Sequence, residues 1–250
     1  KAIFCPLGAD FSINFEALAS CISERTKIIL INTPNNPSGA LISASEMKQL
    51  VELAKTYNIY LICDEIYRDF LYYGAKFVSA NSYRETYEKI VTIDGFSKTY
   101  GMTGWRLGYL VASQDFISRA VKVVQHEMTN IPEFLQLAAC EVFSLSPNWF
   151  ETYRAIMERN AAYYAAATKG ISFLNATNPE AGMFCFPKFE LAGVSSDQIA
   201  VKLLHEQNVA VTPGMAFGSH WDNHLRISLS ANEDDFRAAI DRFAKFLEKF

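Results

Sequence analysis

The sequence predicts an α/β protein, a mostly parallel sheet with helices on both faces, followed by a smaller α+β C-terminal domain. Three observations carry this. Lys27 to Asn32, Ile59 to Cys63 and Lys89 to Ile93 are short apolar runs without polar alternation, as expected of strands covered on both faces. A helical pattern from Ser43 or Ser45 to about Tyr57 lies between the first two, the spacing of a right-handed parallel crossover. A long helical stretch, Asn148 to about Lys169, then precedes a series of short strands and helices. With 250 residues, half of them hydrophobic, the chain can bury a substantial core.

Taken in order, Phe4 to Phe11 is a turn-rich entry containing Pro6, Gly8 and Asp10, and Asn14 to Ile22 has the apolar spacing of a short helix. The first strand ends in Thr33-Pro34-Asn35-Asn36-Pro37-Ser38-Gly39, a turn cluster compatible with a cis bond before Pro37. Asp64 closes the second strand, with Glu65 expected on a solvated face. Leu110 to Ala112 extends a further strand, and Gln114 to Gln125 and Glu133 to Ser144 read as helices, the latter opened by Pro132. Pro147 opens the long helix, on which Tyr153, Ile156, Met157, Tyr163 and Tyr164 recur at core spacing before Gly170 ends it. Beyond it, strands are expected at Met183 to Phe186, Val209 to Val211 and Leu225 to Leu229. Helices are expected at Ser195 to Gln207 and Glu233 to Phe250. These elements divide the chain into a large domain (1–150), an interdomain helix (151–170) and a small domain (171–250).

Composition excludes several classes. The formal net charge of -4 is made of interspersed signs, so no basic stripe invites nucleic acid or an anionic membrane. No apolar run approaches a membrane span. Five scattered cysteines, an odd number without paired short spacings, fit neither a disulfide framework nor a zinc site and suit a reducing cytoplasm. His220 and His224 are four apart, but Gly218 and Asn223 mark the stretch as a loop without a third converging ligand, so no metal is assigned, and Trp221 and His224 are expected as packing or surface residues. The chain starts at Lys1 without an initiator Met or signal peptide, and the expectation is of a start that has been cut.

Function is first suggested by convergence. The three apolar strands lead to Asn36, Asp64 and Lys98, and in an open parallel sheet the ligand crevice lies beyond the carboxyl ends of the strands. Lys98 stands in Asp94-Gly-Phe-Ser-Lys-Thr-Tyr-Gly-Met-Thr-Gly-Trp-Arg-Leu-Gly-Tyr109, with three glycines and Arg106 following it. A lysine crowded by aromatic side chains and near a second fixed cation is a better nucleophile toward a carbonyl, and its natural chemistry is a Schiff base. Each motif alone has a plainer reading. Asn-Pro-Ser-Gly is an ordinary turn, an aspartate after a strand can be a cap, and most lysines are surface charges.

Together, Ser97-Lys98 with Met102-Thr103-Gly104-Trp105-Arg106-Leu107-Gly108-Tyr109, the Asn32-x-Pro34-x-Asn36-Pro37-Ser38-Gly39 turn and Asp64-Glu65-Ile66-Tyr67 resemble the fold type I, aspartate-aminotransferase-like enzymes that use pyridoxal 5′-phosphate (PLP). The resemblance implies that Lys98 forms the Schiff base and moves protons as the catalytic residue, and that Arg106 grips the cofactor phosphate. It implies that Asp64 pairs with the pyridine nitrogen, and that Asn36 and Tyr67 bond the ring oxygen. Many relatives carry a phosphate-binding serine where this chain has Gly95, so the hydroxyl contact is assigned to Ser97. In Leu225-Arg226-Ile227-Ser228-Leu229-Ser230 the apolar residues share one face and Arg226 the other, with the serines. The resemblance makes Arg226 the grip on a substrate carboxylate, with Asn36 beside it, and makes Phe217 a wall.

What the resemblance implies is a PLP-dependent aminotransferase that exchanges an amino group between an α-amino acid and a 2-oxo acid. It also implies a homodimer, and a PLP-binding domain (1–150) lacking the front of its family counterpart. The same apparatus serves carbon-sulfur lyases and other amino-acid lyases, and a non-catalytic PLP-binding or regulatory domain is the alternative of another kind.

Overall fold

The computed structural model describes residues 1–146, 149–176 and 178–249. They form two compact units: Lys1–Pro34, Leu41–Asp69 and Lys76–Phe150 make the first, and Asn35–Ala40, Phe70–Ala75 and Glu151–Phe250 the second.

In the first unit, helix α1 (Phe15–Ser20) starts where Asn14 Oδ1 accepts the Ala17 N–H at 2.9 Å. Strand β1 (Ile28–Asn32), helix α2 (Ala44–Thr56) and strand β2 (Tyr60–Asp64) form the expected crossover. Ser43 caps α2 in a reciprocal capping box with Glu46. Strand β3 (Ile90–Gly95) pairs with β2 in parallel, and β4 (Gly108–Val111) pairs with β3 antiparallel, so the sheet order is β1-β2-β3-β4. Helices α3 (Gln114–Met128) and α4 (Glu133–Glu141) follow. The expected helix Glu133 to Ser144 tightens into a 3-10 turn at Val142–Ser144.

The core of this unit follows from two periods. Met47, Leu50, Val51 and Ala54 form the buried stripe of α2, and they meet Ile29, Leu61, Cys63 and Ile90 from one face of the sheet. Each large side chain so buried contributes about 1.5–3 kcal/mol, and Leu50→Ala would cost about 2–5 kcal/mol. On the other face α3 reaches Tyr60 through Phe116, ring centroids 5.4 Å apart. β1 departs from the expectation of two covered faces. It is an edge strand, and Ile28 and Leu30 are exposed.

In the second unit, α5 (Glu151–Ala167) packs on α7 (Glu233–Leu247). The expected opening of α5 at Pro147 and Asn148, and Phe250 at the expected end of α7, lie outside the described residues. Buried Asn160 on α5 donates through Nδ2 to the carbonyls of Leu229 and Ala231, both at 2.9 Å. The buried line of α5 is Met157, Asn160, Ala161 and Tyr164, whereas Tyr153, expected in the core, is exposed. Strands β5 (Leu174–Asn175) and β7 (Lys188–Phe189) pair antiparallel, and both are too short to show alternation in sequence. Strands β6 (Phe184–Cys185), β8 (Thr212–Pro213) and β9 (Leu225–Ser228) form a sheet in the order β6-β9-β8. The strand expected at Val209 to Val211 is therefore displaced onto Thr212–Pro213, where Thr212 pairs with Arg226. Helix α6 (Ser196–Gln207) begins with a capping box between Ser195 and Gln198.

Two early segments belong to this second unit, Phe70–Ala75 through backbone bonds and Asn35–Ala40 through close packing. Tyr72 N donates to Glu180 O at 2.9 Å and Gly182 N to Phe70 O at 2.8 Å. In Asn35–Ala40, Gly39 has φ +71, and a Cβ there would lie 2.6 Å from Pro179 Cβ and 2.8 Å from two carbonyl oxygens, so only glycine fits. The peptide bonds before Pro34 and Pro37 are both cis. Among the described residues, no helix is long and apolar enough to cross a membrane.

Candidate active site

The three parallel strands of the first unit end together. Asn32 is opposite Asp64 and Asp64 opposite Ile93, and the Asp64 carbonyl accepts from Asn32 Nδ2 and Thr33 N, both at 3.0 Å. Beyond this edge Asp64 Oδ1 accepts the Ile66 N–H at 3.1 Å. Burial pushes the Asp64 carboxyl above the usual carboxylate range, against the opposing pull of that N–H and of the Lys98 ammonium. Tyr67 is buried, and Lys98 Nζ lies over its ring, 5.5 Å from the centroid. An amine, a phenol ring and a carboxylate are thereby grouped in one unit.

Arg106 Nη1 donates to the Thr103 carbonyl at 3.0 Å, and the Asp64 carboxylate is a charge coupled to Lys98. Thr103 Oγ1 in turn donates to the Ser97 carbonyl at 3.0 Å, so Ser97, Thr103 and Arg106 are linked in one turn. Arg106 sits in the left-handed region at φ +53, an uncommon conformation for a non-glycine residue that places an exposed guanidinium at the end of this turn. Gly95 has a packing reason. A Cβ there would be 3.2 Å from Gly108 Cα, Leu107 O and Ile66 Cδ1, which leaves little room for the serine found in relatives.

Sequence reasoning missed a buried charge network beside the site. Asp94, 6 % exposed, takes Arg68 Nε at 3.0 Å and the Tyr109 hydroxyl at 2.9 Å on Oδ2, and the Gly95 N–H at 2.7 Å on Oδ1. Burial raises the Asp94 carboxyl, with Arg68 opposing, and pushes the Tyr109 phenol up to about 12. Glu65 is wholly buried, contrary to the solvated face expected of it. It accepts from Ser79 Oγ at 2.7 Å and Ala80 N at 2.9 Å. For Asp94 the available signal was an aspartate continuing a largely buried apolar strand, where a charge needs partners within reach.

In the second unit β9 presents Arg226 opposite its apolar face, as the alternation predicts. Its Nη1 donates to Asn36 Oδ1 at 3.0 Å and its Nη2 to Thr212 Oγ1 at 3.2 Å. The guanidinium carbon is 4.3 Å from the Phe184 ring centroid and 5.1 Å from that of Phe217. Thr212 and Phe184 were not expected there. They follow from the antiparallel pairings that set Thr212 opposite Arg226 and Phe184 opposite Ser228. His224 is buried against Phe186, ring centroids 4.7 Å apart, and burial with the nearby Lys188 charge lowers its pKa to about 4.

The donor set of the first unit fits PLP. Lys98 supplies an amine for the aldehyde, Asp64 a half-buried carboxylate for a ring nitrogen, Tyr67 a phenol, and the turn of Ser97 and Arg106 a hydroxyl and a guanidinium suited to phosphate. Comparison with known proteins agrees. The family described as "Aminotransferase class I and II" matches residues 1–243. An aromatic-amino-acid aminotransferase 2 of Thermococcus litoralis is 30% identical over 244 residues, which cover 96% of this chain and 62% of that protein. A (5-formylfuran-3-yl)methyl phosphate transaminase of Methanocaldococcus jannaschii is 34% identical over 255 residues, 100% of this chain and 64% of that one. The solved structure of an aromatic aminotransferase from Pyrococcus horikoshii superposes with a TM-score of 0.90 at 29% identity, over 96% of this chain and 65% of that chain. The chain thus spans under two thirds of the length of these relatives, and it belongs to the class I and II aminotransferases, a family that uses pyridoxal 5′-phosphate.

Proposed function

We propose that this chain carries the catalytic apparatus of an aminotransferase that exchanges an amino group between an α-amino acid and a 2-oxo acid, working as a homodimer in the cytoplasm. The observation that carries the reading is the grouping of Lys98 Nζ over the Tyr67 ring with the Asp64 carboxylate coupled to the same amine. In this reading the first unit is the cofactor-binding domain, and residues 171–250 are the small domain. When bound, pyridoxal 5′-phosphate supplies an electron sink for the substrate's α-carbon.

The chain's own residues have separate tasks. Lys98 Nζ would hold the cofactor through its aldehyde carbon and would carry a proton from and to the substrate Cα. Asp64 would hold a proton on the ring nitrogen, since a carboxylate beside that nitrogen favours its cationic form. Tyr67 orients the ring oxygen, and Ser97 and Arg106 anchor the phosphate. Arg226 receives the substrate carboxylate, with Asn36 and Thr212 holding the guanidinium in plane.

The experiment is a single half-reaction. Protein loaded with PLP is mixed with one L-amino acid and no oxo acid, and the 2-oxo acid and ammonia released are counted. An aminotransferase yields one equivalent of oxo acid per site and no ammonia. A lyase yields both with continued turnover, and a non-catalytic binding domain yields neither.

A further inference from the structure

We propose that Arg68 and Asp94 are positioning residues for Lys98: their ion pair, with the Thr99–Asp69 hydrogen bond, fixes the segment bearing Lys98 against the segment bearing Tyr67. The proposal rests on the reading of Lys98 as the cofactor lysine.

The geometry points to this because backbone pairing stops short of both residues. The last rung between the two segments is Glu65 N to Ile93 O at 2.8 Å. Tyr67 and Lys98 both lie beyond it, and side chains take over. Arg68 Nε meets Asp94 Oδ2 at 3.0 Å, and Thr99 Oγ1 donates to Asp69 Oδ2 at 2.8 Å. Each tie thus joins a residue just after Tyr67 to one on either side of Lys98. Asp94 and Thr99 are buried, and Arg68 Nη2 also reaches the Tyr109 hydroxyl at 3.4 Å, which fixes the plane of the fork.

An ion pair with one buried partner, as here with Asp94 buried and Arg68 half-buried, contributes little net stability, because desolvation offsets its attraction, but it tolerates few geometries. Its effect therefore falls on where Nζ stands rather than on whether the unit folds. Displacing a reacting group by about 1 Å costs on the order of 100-fold in rate.

The test measures capture of the cofactor. Whole chain is mixed with PLP at a series of concentrations in the presence of cyanoborohydride, which reduces the imine and spares the free aldehyde, and the pyridoxyl group on Lys98 is quantified over time by peptide mapping. This gives a limiting rate and a half-saturation concentration. The variants are Asp94→Asn, the uncharged pair Arg68→Met/Asp94→Asn, and Thr99→Val, each held where circular dichroism shows it folded. Thr99→Val leaves no buried charge behind and serves if the Asp94 variants do not fold. We expect the limiting rate on Lys98 to fall at least fivefold in each folded variant, with half-saturation within twofold of the unsubstituted chain. A limiting rate within fivefold, or a loss carried by half-saturation, shows a merely structural role and overturns the proposal. Absence of a pyridoxyl group on Lys98 in the unsubstituted chain overturns the reading of the site, and the proposal with it.

Discussion

Arg226 Nη1 donates to Asn36 Oδ1 at 3.0 Å across 190 residues of sequence, while the same guanidinium lies over the Phe184 ring. A planar cation held on its edge and on its face is set for bidentate recognition of a carboxylate. Arg226→Lys keeps the charge and loses the fork. It is expected to lower kcat/KM for amino acids by about 100-fold or more, the scale of a lost charged hydrogen-bonded pair of about 3 kcal/mol. Cofactor capture on Lys98 should be unchanged, and steady-state kinetics beside borohydride trapping checks both.

The two rings contribute less. Phe217→Leu removes one cation-π contact, worth about 0.5–1 kcal/mol at a half-exposed site. A rise in KM of about two- to fivefold is expected, with little change in kcat.

Asp64→Asn removes the carboxylate but keeps the side-chain shape. A lost opposite charge moves a neighbouring pKa by about 1–3 units, so kcat should fall about 10- to 1000-fold. Trapping at Lys98 should persist, because the amine remains. Loss of trapping would mean that Asp64 acts on the lysine and not on the ring.

Glu65 is a structural prediction. Glu65→Ala leaves Ser79 Oγ and the Ala80 N–H without their buried acceptor and should cost about 2–3 kcal/mol of stability. Glu65→Gln keeps one acceptor and should cost less. Urea titration of both variants measures the difference.

His224 gives a pH dependence of known sign. Its pKa is lowered to about 4 in the fold from an ordinary 6.5, so the unfolded chain binds the proton first. Stability from this residue is complete above pH 6.5 and is lost as pH falls toward 4, with a slope of up to about 1.4 kcal/mol per pH unit. The neighbouring groups are Lys188, whose charge disfavours the imidazolium, and Asn223 Oδ1, 2.7 Å from Nδ1. His224→Phe should flatten this part of the profile, measured by urea titration between pH 4 and 7.

Much of this architecture is legible in the chain because local signals agree. Lys27 to Asn32, Ile59 to Cys63 and Lys89 to Ile93 are apolar runs between clear turn signals, and each forms a strand within a residue or two of its expected ends. Arg226 could be placed opposite Leu225 and Ile227 because a strand alternates. The two-residue strands β5 and β7 carry no period and could not be read. Nor could the burial of Glu65 and Asp94, because a charge is accepted inside only where distant partners, Ser79 and Arg68, arrive to satisfy it. Assigning Asn35–Ala40 to the second unit needed Gly39 and its tertiary neighbours.

The central claim is that Lys98 is the covalent seat of the cofactor. Its most direct measurement is reduction of the PLP-loaded chain with borohydride followed by peptide mass mapping. The account predicts a single pyridoxyl group on Lys98. A pyridoxyl group confined to other lysines, or none in the folded protein, would contradict it.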